Sequence, residues 1–82
     1  MKNWYPDRLK VSNKGTPETI DFVKSAFETD QPFHYSEFGI YEGSTAYAVL
    51  SEFPNARVSL FDFESAISVS KTRLSEFGDR VD

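Results

Sequence analysis

The stretch from Phe33 to Asp62 constrains the fold more than any other part of the chain. It opens with an aromatic-rich run, Phe33 to Phe38, that ends in Glu37-Phe38-Gly39. A turn then closes at Gly43, an amphipathic run follows, and a second β-prone run, Arg57 to Phe61, ends at Asp62. The order is strand, glycine turn, helix, strand, acid. An open α/β sheet builds a nucleotide-type pocket in this way, with a glycine turn at the carboxyl end of one strand and an acid at the end of the next.

The length of 82 residues allows one small domain. At that size folding buries only roughly 60 to 65 % of the unfolded chain's surface, so the core must be thin. Apolar residues at 39 %, with eight phenylalanines, mark the chain as globular rather than disordered. Cysteine is absent, which excludes disulfides, thiolate metal sites and a cysteine nucleophile. No apolar run approaches the ~20 residues of a membrane span, and no basic-then-apolar leader opens the sequence. A reducing, cytoplasmic setting is the expectation.

The net charge of -4 is unevenly spread. Residues 1–15 carry Lys2, Arg8, Lys10 and Lys14 against Asp7, a net +3, which leaves five basic and 12 acidic residues and a net -7 for residues 16–82. The acidic body should repel nucleic acid, and the basic arm is expected to lie against it. Residues 1–15 show no sustained periodicity and read as an arm whose large anchors are Trp4 and Tyr5. These two either pack on a neighbouring helix or serve as a lid or substrate contact.

At Thr16-Pro17-Glu18 a capping hydroxyl, a proline suited to the first helical position and an acid at the positive end of the helix dipole coincide. A helix is expected to start there and bury Ile20, Val23, Ala26 and Phe27, with Asp30-Gln31-Pro32 ending it. Phe33 to Phe38 then suits a strand bounded by Pro32 and Gly39. His34 is the chain's one histidine. With no second histidine and no cysteine it reads as a strand-end or surface group rather than a metal ligand. Glu37 is more informative, since a carboxylate in a buried strand is costly unless backbone N–H groups or a cationic ligand satisfy it.

Gly39-Ile40-Tyr41-Glu42-Gly43 precedes a helical stripe of Ala46, Val49, Leu50 and Phe53, so Gly43 falls where the helix begins. The free N–H groups and dipole there favour a carboxylate or phosphate, and Ser44 and Thr45 add hydroxyls. The glycines serve a ligand, or else they only turn a strand into a tightly packed helix. Asp62 lies 19 positions after Gly43, close to the ~20-residue interval at which an acid reaches ribose hydroxyls in βαβ units. It reads alternatively as a cap for the run with Ala66, Ile67, Ser70, Leu74 and Phe77 on one side. Gly78 stops that run, and Arg80-Val81-Asp82 looks like the start of a third strand.

A dinucleotide site wants G-x-G-x-x-G; here the spacing is glycine, three residues, glycine, with an acid two places before the first. That disfavours a nucleotide-binding oxidoreductase. Glu37-Phe38-Gly39-Ile40-Tyr41-Glu42-Gly43-Ser44-Thr45, then Phe53-Pro54-Asn55-Ala56-Arg57-Val58, Phe61-Asp62 and Phe77-Gly78-Asp79-Arg80-Val81, resembles the N-terminal half of a class I S-adenosylmethionine-dependent methyltransferase. The resemblance runs from about residue 16 to the end.

It implies an α/β fold, a partial Rossmann-like doubly wound sheet with two parallel strands, the start of a third and about three helices. It also implies that Gly39, Ile40, Tyr41 and Gly43 wrap the methionine part of S-adenosylmethionine, that Glu37 holds its ammonium group, and that Ser44 and Thr45 meet its carboxylate. Asp62 would accept both ribose hydroxyls and Phe63 would lie against the adenine. A complete enzyme of this class has seven strands, so residues 16–82 are expected to be an incomplete cofactor-binding domain, catalytically insufficient alone. His34 and Tyr41 are the candidates for a catalytic base, but neither matches a family catalytic residue, and the methyl acceptor is unassigned. The alternative expectation is a non-enzymatic βαβ module that self-associates through its open sheet edge.

Overall fold

The computed structural model describes residues 4–6, 15–39 and 43–82. Within them lie helix α1 (Thr16–Ala26), strand β1 (Phe33–Phe38), helix α2 (Ser44–Glu52), strand β2 (Ala56–Phe61), helix α3 (Glu64–Arg73) and a 3-10 segment (Ser75–Arg80). The strands run parallel in register, with Phe33 beside Ala56, Glu37 beside Leu60 and Phe38 beside Phe61. The fold is therefore α/β, with two parallel strands in an open sheet and helices around it, consistent with a partial Rossmann-like arrangement. Val81 forms a parallel bridge with Val58 on the far side of β2, backed by Asp82 N–H to Val58 O at 2.7 Å and Leu60 N–H to Asp82 O at 3.2 Å. This isolated bridge falls where the start of a third strand is expected.

Helix α2 is the centre of the core. Ala46, Tyr47, Ala48, Val49 and Leu50 are all buried, as is Phe53 just beyond its end. The sheet face carrying Phe33, Tyr35, Ala56, Val58 and Leu60 meets this helix, and the Phe33 ring stands edge-on to Phe53 at 5.2 Å between centroids. Helix α1 adds Ile20 and Val23. Arg80 closes the far end: its guanidinium donates to Leu50 O, Phe53 O and Ala56 O at 2.8–3.0 Å and lies over the Phe77 ring. Carbonyls that a helix end leaves without partners are satisfied this way. Burial holds the Arg80 pKa below its ordinary value.

Two local expectations need correction, and one strand residue takes a place the sequence reading left open. Gly15, left-handed at φ 75°, caps α1 and makes no side-chain cap bond; Thr16 is the first helical residue, buried, with its hydroxyl 3.0 Å from that of Thr45. The helix ends at Ala26, which is exposed, because Phe27 already turns extended to stack on Phe33 at 4.4 Å. Phe38 is 75 % exposed, on the opposite sheet face from Phe33 and Tyr35. Strand alternation puts it there.

The Trp4–Tyr5 pair packs on a neighbouring helix. Trp4 Nε1 donates to Glu52 Oε2 at 2.8 Å, and Tyr5 is buried against Tyr47 with ring centroids 5.5 Å apart. Lys2, Arg8, Lys10 and Lys14, which carry the basic arm's charge, lie outside the described residues. No helix among the described residues is long and apolar enough to cross a membrane.

Candidate functional site

The parallel register brings the carboxyl ends of β1 and β2 side by side, the place where open α/β sheets bind ligands. Glu37 sits on β1 opposite Leu60, one step before the pair Phe38–Phe61, and Asp62 follows Phe61 directly. Gly39 N–H donates to Phe61 O at 3.0 Å, so the chain leaves β1 while still tied to β2. Glu37, Gly39, Gly43, Ser44, Thr45, Asp62 and Phe63 thus belong to one end of the sheet and its first helical turns. Ile40, Tyr41 and Glu42 lie outside the described residues.

The two described glycines of the turn do different jobs. Both are left-handed, Gly39 at φ 73° and Gly43 at φ 78°, a backbone region costly for residues with a side chain. Among the described residues, a Cβ on Gly39 would meet nothing within 4 Å. A Cβ on Gly43 would come to 3.4 Å of Ser70 Cβ and Oγ and 3.7 Å of Leu74. Gly43 therefore lets α3 pack against the start of α2.

The start of α2 is held from two other sides. Tyr5 Oη donates to Ser44 O at 2.7 Å, and the Thr45 and Thr16 hydroxyls share a hydrogen bond at 3.0 Å. The Thr45 hydroxyl thus ties α2 to α1. The backbone N–H groups of the first turn have no partner further back within their own helix.

Glu37 is half-buried, and Tyr35 Oη donates to its Oε1 at 2.8 Å. Burial pushes the Glu37 carboxyl above the usual carboxylate range, and the Tyr35 hydrogen bond opposes that rise. Burial, then the Glu37 charge, push the Tyr35 phenol well above its ordinary value. The Tyr5 phenol is likewise raised, first by burial and further by Glu37, while Thr16 works the other way. Both phenols stay protonated donors at neutral pH. Among the described residues no basic side chain forms an ion pair with Glu37.

Asp62 is half-buried, and its Oδ1 accepts the Phe63 N–H at 2.7 Å. Phe63, not Asp62, occupies the N-cap of α3 and is 83 % exposed. His34 is exposed on the opposite sheet face, where its Nε2 is 2.6 Å from Ser59 Oγ, away from the Glu37 side. Nothing in its surroundings suits a base acting at the strand ends. Among the described residues there is no group of three or more His, Asp or Glu side chains placed to hold a metal ion.

Sequence reasoning missed the part Tyr35 plays at this end of the sheet, although residues two apart in a strand share a face. Tyr5 was singled out as an anchor, but its partner, the Ser44 carbonyl 39 positions away, had no local signal.

Part of the chain is similar to known proteins. Over 65 residues the chain is 34 % identical to the ribosomal RNA small subunit methyltransferase H of Leptospira interrogans serogroup Icterohaemorrhagiae, in both serovar copenhageni (strain Fiocruz L1-130) and serovar Lai (strain 56601). The similarity takes in 78 % of this chain but 20 % of each relative, so the chain spans about a fifth of the length of the curated relatives it matches. No family model and no solved structure matches it. An open α/β fold with this partial similarity supports a methyltransferase relationship.

Proposed function

We propose that this chain is the S-adenosylmethionine-binding portion of a class I methyltransferase. The observation that carries the reading is Glu37: a half-buried carboxylate at a strand's carboxyl end, without an ionic partner among the described residues, suits a ligand's ammonium group. Gly39 and Gly43 frame the turn that would wrap the methionine moiety, together with Ile40 and Tyr41. Ser44, Thr45 and the first N–H groups of α2 would meet the carboxylate. Asp62 would accept the ribose hydroxyls, and the exposed Phe63 ring would lie along the adenine.

S-adenosylmethionine, when bound, supplies an electrophilic methyl group. The residues at this end of the sheet hold and orient the cofactor; they include no assigned base. Methyl transfer further requires a nucleophile aligned on that methyl. The relatives act, by name, on ribosomal RNA; the net -7 of residues 16–82 argues against a phosphate-backbone surface on this part of the molecule. Calorimetric titration with S-adenosylhomocysteine, comparing the wild type with Asp62→Ala, tests the assignment.

A second reading, a non-enzymatic module that self-associates through its sheet edge, is favoured by the outer edge of β1, which no strand covers among the described residues. Sedimentation over a concentration range would then show reversible dimers. A strict monomer at all concentrations would refute it.

A further inference from the structure

We infer that Tyr35 is a positioning residue for Glu37, its phenol fixing one carboxylate oxygen so that the other is presented to a ligand's ammonium group. The inference rests on the reading of Glu37 as the ammonium partner. Its geometry is direct: Tyr35 and Glu37 share one face of β1, and Tyr35 Oη is 2.8 Å from Glu37 Oε1. A carboxylate pinned at one oxygen keeps one orientation, and a hydrogen bond to the charged form favours ionisation against burial. Tyr35 is half-buried among core residues, so its hydroxyl has little freedom to leave.

Among the described residues, the groups around Glu37 leave this role to Tyr35. From the N-terminal segment comes Tyr5, a second phenol within the field of the Glu37 charge, but its hydroxyl donates to Ser44 O. Leu60 stands beside Glu37 on β2, and the carbonyl that Tyr5 holds belongs to Ser44, the neutral first residue of α2. No described Lys or Arg pairs with Glu37. Tyr35 is therefore the hydrogen-bond donor that stabilises the carboxylate before a ligand arrives.

Tyr35→Phe keeps the ring and removes the donor. The first measurement is the pH titration of the Glu37 carboxyl carbon by NMR in the chain without ligand. The midpoint should rise in Tyr35→Phe, because the bond that favours the ionised form is gone. A midpoint that stays or falls overturns the inference.

The second is S-adenosylhomocysteine affinity as a function of pH. Ammonium binding needs ionised Glu37, so affinity falls as the pH drops through its titration. In Tyr35→Phe that fall should begin at higher pH, with about tenfold weaker binding on the plateau. An equal loss at every pH, with the acid limb unmoved, would mean a packing role alone and overturn the inference. Wild type and Glu37→Gln binding equally well, with the NMR midpoint still raised in Tyr35→Phe, would refute the cofactor reading of Glu37 while upholding the Tyr35–Glu37 coupling.

Discussion

The two faces of the β1–β2 sheet have opposite fates. On one, Phe33, Tyr35, Ala56, Val58 and Leu60 make the core with Val49, Leu50 and Phe53, and Glu37 is half-buried on the same face. On the other, His34, Ser36, Phe38, Arg57 and Phe61 are exposed, and only Ser59 is buried. Parallel sheets ordinarily have both faces covered. Phe38 and Phe61 respond by stacking on each other, with ring centroids 4.7 Å apart and planes nearly parallel. The covered face supplies the stability and also carries Glu37, so fold and candidate site share one side of the sheet.

Truncation separates the faces most sharply. Phe53→Ala on the covered side should cost about 3–5 kcal/mol, because a fully buried ring leaves a cavity. Total stability for a chain of this size is on the order of 4–12 kcal/mol, so much of it would go. Urea unfolding followed by circular dichroism reads this directly. The turn comes next: Gly43→Ala should cost about 2 kcal/mol from its left-handed backbone and its contact with Ser70, and Gly39→Ala about 1 kcal/mol from the backbone alone. Equal costs would mean that α3 does not press on Gly43. Phe38→Ala on the bare face should cost less than about 1 kcal/mol, since only one exposed ring contact is lost. A loss comparable to that of Phe53→Ala would break the contrast between the faces.

Much of this was legible in the sequence. Pro32 and Gly39 bound β1, and the Ala46-Val49-Leu50-Phe53 stripe marks α2, both set by local chemistry and periodicity; Val81 makes an isolated bridge to Val58 where a third strand is expected to start. Alternation along β1 likewise separates Tyr35 and Glu37 from His34 and Ser36. Thr16 misled because a hydroxyl beside a proline looks like a cap, whereas packing against Thr45 decided its place. The exposure of Phe38 was not legible, because apolar character does not say whether a sheet face will be covered.

Long-range capture was hidden altogether. Arg80 on three carbonyls around the end of α2, and Tyr5 on the carbonyl at its start, depend on how distant segments meet. For the candidate site, Glu37 stood out as a costly buried acid. Its bond to Tyr35 needed the strand's geometry as well as its pattern.

The account turns on two acids at the ends of adjacent strands holding one ligand. Calorimetric titration of the 82-residue chain with S-adenosylhomocysteine, set against Asp62→Ala, tests it most directly. Saturable 1:1 binding to the wild type, weakened at least tenfold by the substitution while the fold is kept, is the expected result. Binding indifferent to Asp62→Ala, or no binding by a folded wild-type chain, would contradict it.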